Sequence, residues 1–239
     1  MWNAFIRRLE SLERLSKIER QALSDATKNV QKVGARRNIA AESELHNGAH
    51  IILSGLACRF RILEDGSRQI TDFLVPGDLC RCAHHEGLDS VYCVASLSPC
   101  SFAHIDNNAL SQLMDKYPRI ARALWSQALA NEGVLREWLA NVGRRAAVRR
   151  VAYLMSELCF RLQAADAPRP LSCALPITQI DLADATALSP VHINRVLGRL
   201  REKRLVSLQR RSIIVKDTEG LMSFAEFTGS YIPHRTLGA

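Results

Sequence analysis

The sequence predicts an α+β protein with an N-terminal antiparallel β-roll of jelly-roll type, a long helix after it, and a winged helix-turn-helix near the C-terminal end. Three observations carry this. Between Ile39 and Asp106 apolar residues come in short runs, separated by turn signals roughly every ten residues. From Pro118 to Val142 the apolar spacing turns helical and stays so. From Leu175 to Asp217 two short helical patterns flank a tight turn, and a two-strand hairpin follows.

The elements follow in order. Met1–Lys32 reads as helix, because Phe5, Leu9, Leu12, Leu15, Ile18 and Leu23 recur at three- and four-residue spacing among charges. Gly34 marks the change to strand periodicity. His50–Leu53 is an apolar run ended by Ser54-Gly55. Leu56–Leu63 and Gln69–Val75 flank Glu64-Asp65-Gly66-Ser67, and Asp-Gly between two β-rich runs is a strong hairpin signal. Pro76-Gly77-Asp78 is another turn. Val91–Leu97 and Cys100–Ile105 bracket Ser98-Pro99.

The long helix carries Ile120, Leu124, Ala128, Leu135, Leu139 and Val142 on an apolar stripe, with Trp125 and Trp138 adding bulk. About 25 helical residues span about 37 Å, more than a small barrel can cover. The stripe therefore predicts a dimer seam, with Ile120, Leu124, Ala128, Leu135, Trp138 and Val142 as its residues. Gly143 is the expected break, before Arg144-Arg145. The expected organisation is a helical segment over 1–32, a β-roll over 33–116, the dimerisation helix over 117–143, a winged helix-turn-helix over 144–217 and a tail over 218–239.

In the last third, Thr178 is a good N-cap with Asp181 three residues on, in the place of a capping-box acid. Ile180, Leu182 and Ala183 are the expected inward positions of the first short helix. Ser189 caps the second, and Pro190 suits its first position. Ile193, Val196, Leu197 and Leu200 face inward there, which leaves His192, Asn194, Arg195, Arg199 and Arg201 outside. Leu205–Leu208 and Ser212–Val215 flank Gln209-Arg210-Arg211 as a wing with two arginines at its tip. A helix of this kind fits the DNA major groove, with its first turns at the base edges. Val191, His192, Asn194 and Arg195 are the candidate base readers; an arginine can pair with O6 and N7 of guanine. Thr178, Ser189, Arg199, Arg210 and Arg211 are the candidate phosphate contacts.

Charge supports this assignment. The chain has 239 residues and a net charge of +8, but residues 141–216 hold 14 Lys+Arg against 5 Asp+Glu, so the basic excess sits in one segment. Such asymmetry points to a polyanion partner. Apolar residues at 47% and charged residues at 23% exclude wholesale disorder, and 12 Gly with 8 Pro exclude a linker-dominated chain. No apolar run is long enough to span a membrane. Met1–Arg20 lacks the apolar core of a secretory signal, which predicts a cytoplasmic protein with its seven cysteines reduced. No G-x-S-x-G, phosphate-binding glycine loop or H-E-x-x-H is present, which argues against an enzyme.

The chain resembles the Crp/Fnr family of bacterial transcription regulators over about Val33 to Asp217. The resemblance rests on GLACRFRILEDGSRQITDFLVPGDL (Gly55–Leu79), the long helix, and LSPVHINRVLGRLREKRLV (Leu188–Val206). It implies a cyclic-nucleotide-binding-like β-roll, a homodimer and a C-terminal reader of palindromic DNA operators, with RNA polymerase as a further partner. Arg195 matches the family's base-reading arginine. Val191 stands where the cyclic-AMP and oxygen-sensing branches carry a base-contacting Glu, so the operator should differ from theirs.

The resemblance stops short of the effector. The cyclic-AMP branch holds its ligand with a Gly-Glu pair and an Arg-Ser/Thr pair, and GDLCRCAHHEGLDSVYCVASL (Gly77–Leu97) has neither. A buried phosphate without a paired guanidinium is costly. The iron–sulfur branch uses N-terminal cysteines, whereas the first cysteine here is Cys58. No cofactor is assigned. Cys80, Cys82, His84 and His85 crowd into six residues, and two readings stay open for them: a heme, metal or thiol sensor, or packing residues of a regulator without effector.

Overall fold

A computed structural model of the chain describes residues 2–40, 48–81, 92–164 and 171–232, with the side chains of 40, 81 and 164 left aside. Its N-terminal part holds two short helices, α1 (Ala4–Glu10) and α2 (Lys17–Ala26), and eight strands: β1 (Val30–Val33), β2 (Asn38–Ala40), β3 (Ala49–Ser54), β4 (Ala57–Ile62), β5 (Arg68–Leu74), β6 (Leu79–Arg81), β7 (Cys93–Ser96) and β8 (Cys100–Ile105). The strands form two antiparallel sheets, in the orders β1-β8-β3-β6 and β2-β7-β4-β5. This is the jelly-roll-like β-roll that the alternation predicts.

Two boundaries differ from the sequence reading. The first 32 residues are not one helix. The Ser16 hydroxyl accepts from the Glu19 N–H while the Glu19 carboxylate accepts from the Ser16 N–H. This capping box starts a second helix, whatever the apolar spacing across Leu12 and Leu15 suggests. The roll also begins before residue 33, since Val30 pairs with Ala103.

Then come α3 (Asn107–Lys116), α4 (Pro118–Arg144) and α5 (Ala147–Ala164). The break falls at Arg145, whose extended backbone (φ −74°, ψ 140°) ends α4 two residues beyond Gly143. The C-terminal part contains β9 (Cys173–Leu175), α6 (Gln179–Thr186), α7 (Pro190–Glu202), β10 (Val206–Gln209), β11 (Ser212–Val215) and α8 (Thr218–Ala225). The wing sheet has the order β10-β11-β9. The expected tail is therefore partly ordered: α8 packs on α5, and Phe227 sets its ring edge-on to Tyr153 and Phe160.

The largest core cluster runs without interruption from the roll (Leu56, Phe73) through Trp138 of α4 and Leu158 of α5 to Leu182 and Leu197 of the helix-turn-helix. A second cluster fastens α1 to β3 and α4 through Phe5, Ile6, Leu9, Ile51 and Ile120. Among the described residues no helix is long and apolar enough to cross a membrane.

The Pro76–Asp78 turn is the meeting point of three helices. Gly77 has φ +97°, and a Cβ there would lie 2.8 Å from the Cβ of Arg8 and 2.9 Å from the carbonyl of Ala4. Only glycine allows α1 so close. Gln127 of α4 donates to the Gly77 carbonyl (2.9 Å). Arg161 of α5 donates to Asp78 (2.7 Å), to the Phe73 carbonyl (2.9 Å) and to Glu157 (3.2 Å), and lies 3.6 Å from Asp72. Burial alone would lower the Arg161 pKa, but Asp78, Asp72 and Glu157 raise it, so the cation is held.

Candidate nucleic-acid interface

The two helices of the candidate reader are set by their caps. Thr178 caps α6 as expected, in a full capping box with Asp181, and Ala187 turns the chain in the left-handed region (φ 54°). Ser189 then caps α7 by accepting from the His192 N–H (3.2 Å), which leaves its O–H to donate. Ile193, Val196, Leu197 and Leu200 are buried beneath α7.

On the outer side an open groove of about 250 Å³ runs along the first turns of α7, lined by Ser189, Val191, His192, Arg195, Val196 and Arg199. Val191 is 63% exposed at the mouth of this groove. Asn194 is exposed beside the groove and donates to the Gln179 side chain of α6 (3.3 Å). Sequence reasoning did not single out Gln179, which is half-buried; a polar residue in the first turn of α6 was the available signal. Arg210 and Arg211 are exposed at the wing tip, in the turn between β10 and β11.

Two expectations need correction. Thr178 has no donor left for phosphate. Its N–H (2.7 Å) donates to the Asp181 carboxylate as the capping box requires, and its O–H (2.7 Å) donates there as well. Ile180 does not point inward but is 60% exposed. Leu182 and Ala183 suffice to bury the inner face of so short a helix.

Two residues of the expected seam lie inside the protomer. Ile120 and Trp138 are buried within the protomer, Trp138 against Phe73 (ring centroids 5.7 Å), and so cannot line a surface seam. Ala128 and Leu135 are exposed, and Leu124 and Val142 half-buried, as an outer face requires. Trp125 (67%) and Leu139 (77%) lie on the same outer face. A 27-residue helix packed on one side still leaves this second apolar face open.

Between the roll and α4 lies a cavity of about 520 Å³, lined by Arg59, Leu79, Leu110, Trp125, Leu135 and others. Cys80 is buried beside it, its sulfur accepting from Arg59 (3.3 Å). Cys82, His84 and His85 lie outside the described residues. Among the described residues no group of His, Cys, Asp or Glu is gathered to hold a metal.

Comparison with known proteins matches the model of the cyclic nucleotide-binding domain over residues 30–117 and that of the Crp-like helix-turn-helix domain over residues 149–224. The nitrogen fixation regulation protein FixK of Azorhizobium caulinodans is 25% identical over 184 residues, covering 77% of this chain and 73% of that protein. The transcriptional activator protein FnrL of Cereibacter sphaeroides is 26% identical over 179 residues, covering 73% and 71%. The structure of FixK2 from Bradyrhizobium japonicum superposes with a TM-score of 0.69 at 21% identity, over 82% of this chain and 96% of that one. At that identity the likeness speaks for the fold.

Proposed function

The chain belongs to the Crp/Fnr family of DNA-binding transcription regulators, which are not enzymes, and from that premise we propose that it acts in the cytoplasm as a homodimer reading a palindromic operator. Val191, His192, Asn194 and Arg195 read bases. Arg195 reaches guanine, and Val191 meets a thymine methyl. Ser189, Arg199, Arg210 and Arg211 hold phosphates. Half-site centres lie about 34 Å apart, one helical turn. RNA polymerase is the expected further partner.

The observation that carries this reading is the α7 groove, where base-reading side chains stand exposed around a capped helix start. The seam is the outer face of α4, with Ala128, Leu135 and Val142 at seven-residue spacing and Leu124, Trp125 and Leu139 beside them. The test is Arg195→Ala. It should weaken a selected operator by about tenfold or more while leaving random DNA nearly unchanged. Equal weakening of both would remove Arg195 as a reader.

Cyclic AMP does not fit the cavity beside α4. The described lining is mainly apolar, its Arg59 is turned to Cys80, and the Gly77–Leu97 sequence lacks both phosphate-holding pairs. A regulator without effector is favoured by the open α7 groove, which faces solvent while the reader is docked on the roll. Operator affinity that no cell extract fraction changes would support it.

A further inference from the structure

We propose that Arg36 and Arg68 of the β-roll are positioning residues for the DNA reader: they clamp α6 through Asp181 and Asp184 and so set the half-site spacing that the dimer accepts. This rests on α7 being the operator-reading helix. Arg36 lies in the turn between β1 and β2, and both its terminal nitrogens bond the two carboxylate oxygens of Asp181 at 2.7 Å. Arg68 opens β5; it donates to Asp181 (2.8 Å) and through Nε to Asp184 (2.7 Å). Four charged groups thus bridge the roll and the reader across more than a hundred residues of chain. Bidentate geometry of this kind fixes orientation as well as distance.

Both arginines are themselves held. Arg36 sits at φ +62°, a left-handed position that is costly for a non-glycine residue. The buried Ser96 keeps it there. The Arg36 N–H donates to the Ser96 carbonyl (3.0 Å), the Arg37 N–H donates to the Ser96 hydroxyl (3.0 Å), and that hydroxyl donates to the Gly34 carbonyl (2.7 Å). Strain that the surroundings fix in this way marks a position with a task. Arg68 lies over the Phe60 ring, 5.6 Å from its centroid. On the other side, the Asp181 side chain is completely buried. Burial alone would raise its pKa, but the bonds from Arg36 and Thr178 hold it below the ordinary carboxylate value. The clamp ends two residues from Gln179, which holds Asn194 of α7. It therefore acts on the helix that carries the reading face.

The test uses the full chain and an operator selected from random DNA. Arg68→Asp places three carboxylates together and should open the clamp. The wild type should prefer its selected spacing over spacers one base pair longer or shorter by about tenfold, a factor that couplings between contacting charges supply. Arg68→Asp should lose most of that preference, and the swap Arg68→Asp with Asp184→Arg should restore it. Unchanged preference in Arg68→Asp, or a uniform loss on all spacers that the swap fails to repair, overturns the proposal. Hydrogen exchange at the amides of Gln179–Thr186, without DNA, gives an independent arm. Faster exchange in Arg68→Asp, reversed by the swap, supports the clamp, and no difference refutes it. Should the wild type select no operator, the reading of α7 fails while this arm still decides the clamp.

Discussion

Trp138 of α4 donates its indole N–H to both carboxylate oxygens of Glu157 on α5, at 3.0 and 3.2 Å, across the Arg145 break. The same carboxylate accepts from Arg161 at 3.2 Å and from the Tyr231 hydroxyl at 3.4 Å. Burial pushes Glu157 up from 4.5 to about 7, although Arg161 and Trp138 pull it down and Asp72 adds to the rise. The folded state thus holds this proton more tightly than the unfolded chain. The contribution is complete below pH 4.5 and is lost as pH rises through about 7, roughly 3 kcal/mol in all. In Glu157→Gln the urea midpoint should fall less steeply between pH 5 and pH 8 than in the wild type. Parallel curves would remove Glu157 as the source.

The outer face of α4 predicts the oligomeric state. Leu135→Glu puts a carboxylate into the seam, where an unpaired charge costs several kcal/mol. Light scattering should show the dimer weakened by about two to three orders of magnitude, with the fold intact by circular dichroism. A variant that dimerises like the wild type would place the seam elsewhere.

The wing arginines should act on affinity without changing sequence preference. Arg210→Ala with Arg211→Ala removes two phosphate contacts per protomer and four per dimer, so the slope of log affinity against log salt should become shallower by about 3.6, roughly 0.9 per contact. A changed base preference with an unchanged slope would make the wing a base reader.

Phe227 and Ile232, which follow α8, are part of the core. Phe227 is buried and meets the rings of Tyr153, Phe160 and Tyr231 at 5.2, 5.6 and 6.2 Å. Phe227→Ala should cost about 3–5 kcal/mol in chemical unfolding. A loss below about 1 kcal/mol would show that the site closes over the gap or that this segment docks weakly.

Much of this was legible where the signal is local. Asp65-Gly66 marked the β4–β5 hairpin, and Ser189-Pro190 marked the start of α7 to the residue. Capping boxes cut both ways. Thr178 and Asp181 announced α6, but the same two residues exclude Thr178 from the phosphate list, because one hydroxyl cannot serve both tasks. That Ile120 and Trp138 belong to the inner face of α4 was hidden, since a helix with two apolar faces shows one blurred period and Trp138 suits either face. The Arg36–Asp181 contact was invisible, because its partners are 145 residues apart, Arg36 alone reads as a solvated charge and Asp181 reads only as a capping acid.

The uninterrupted core has a consequence for how this chain can be taken apart. Leu182 and Leu197 of the reader share one apolar cluster with Leu56 and Phe73 of the roll. Cleavage at Arg145 would strip each half of part of its own interior. The reader should therefore not survive excision as a free-standing module, and grafting it onto a foreign sensor would require a replacement for the β5 surface it rests on. Heating should melt the two parts in one transition, so a single calorimetric peak is the signature of their mutual dependence.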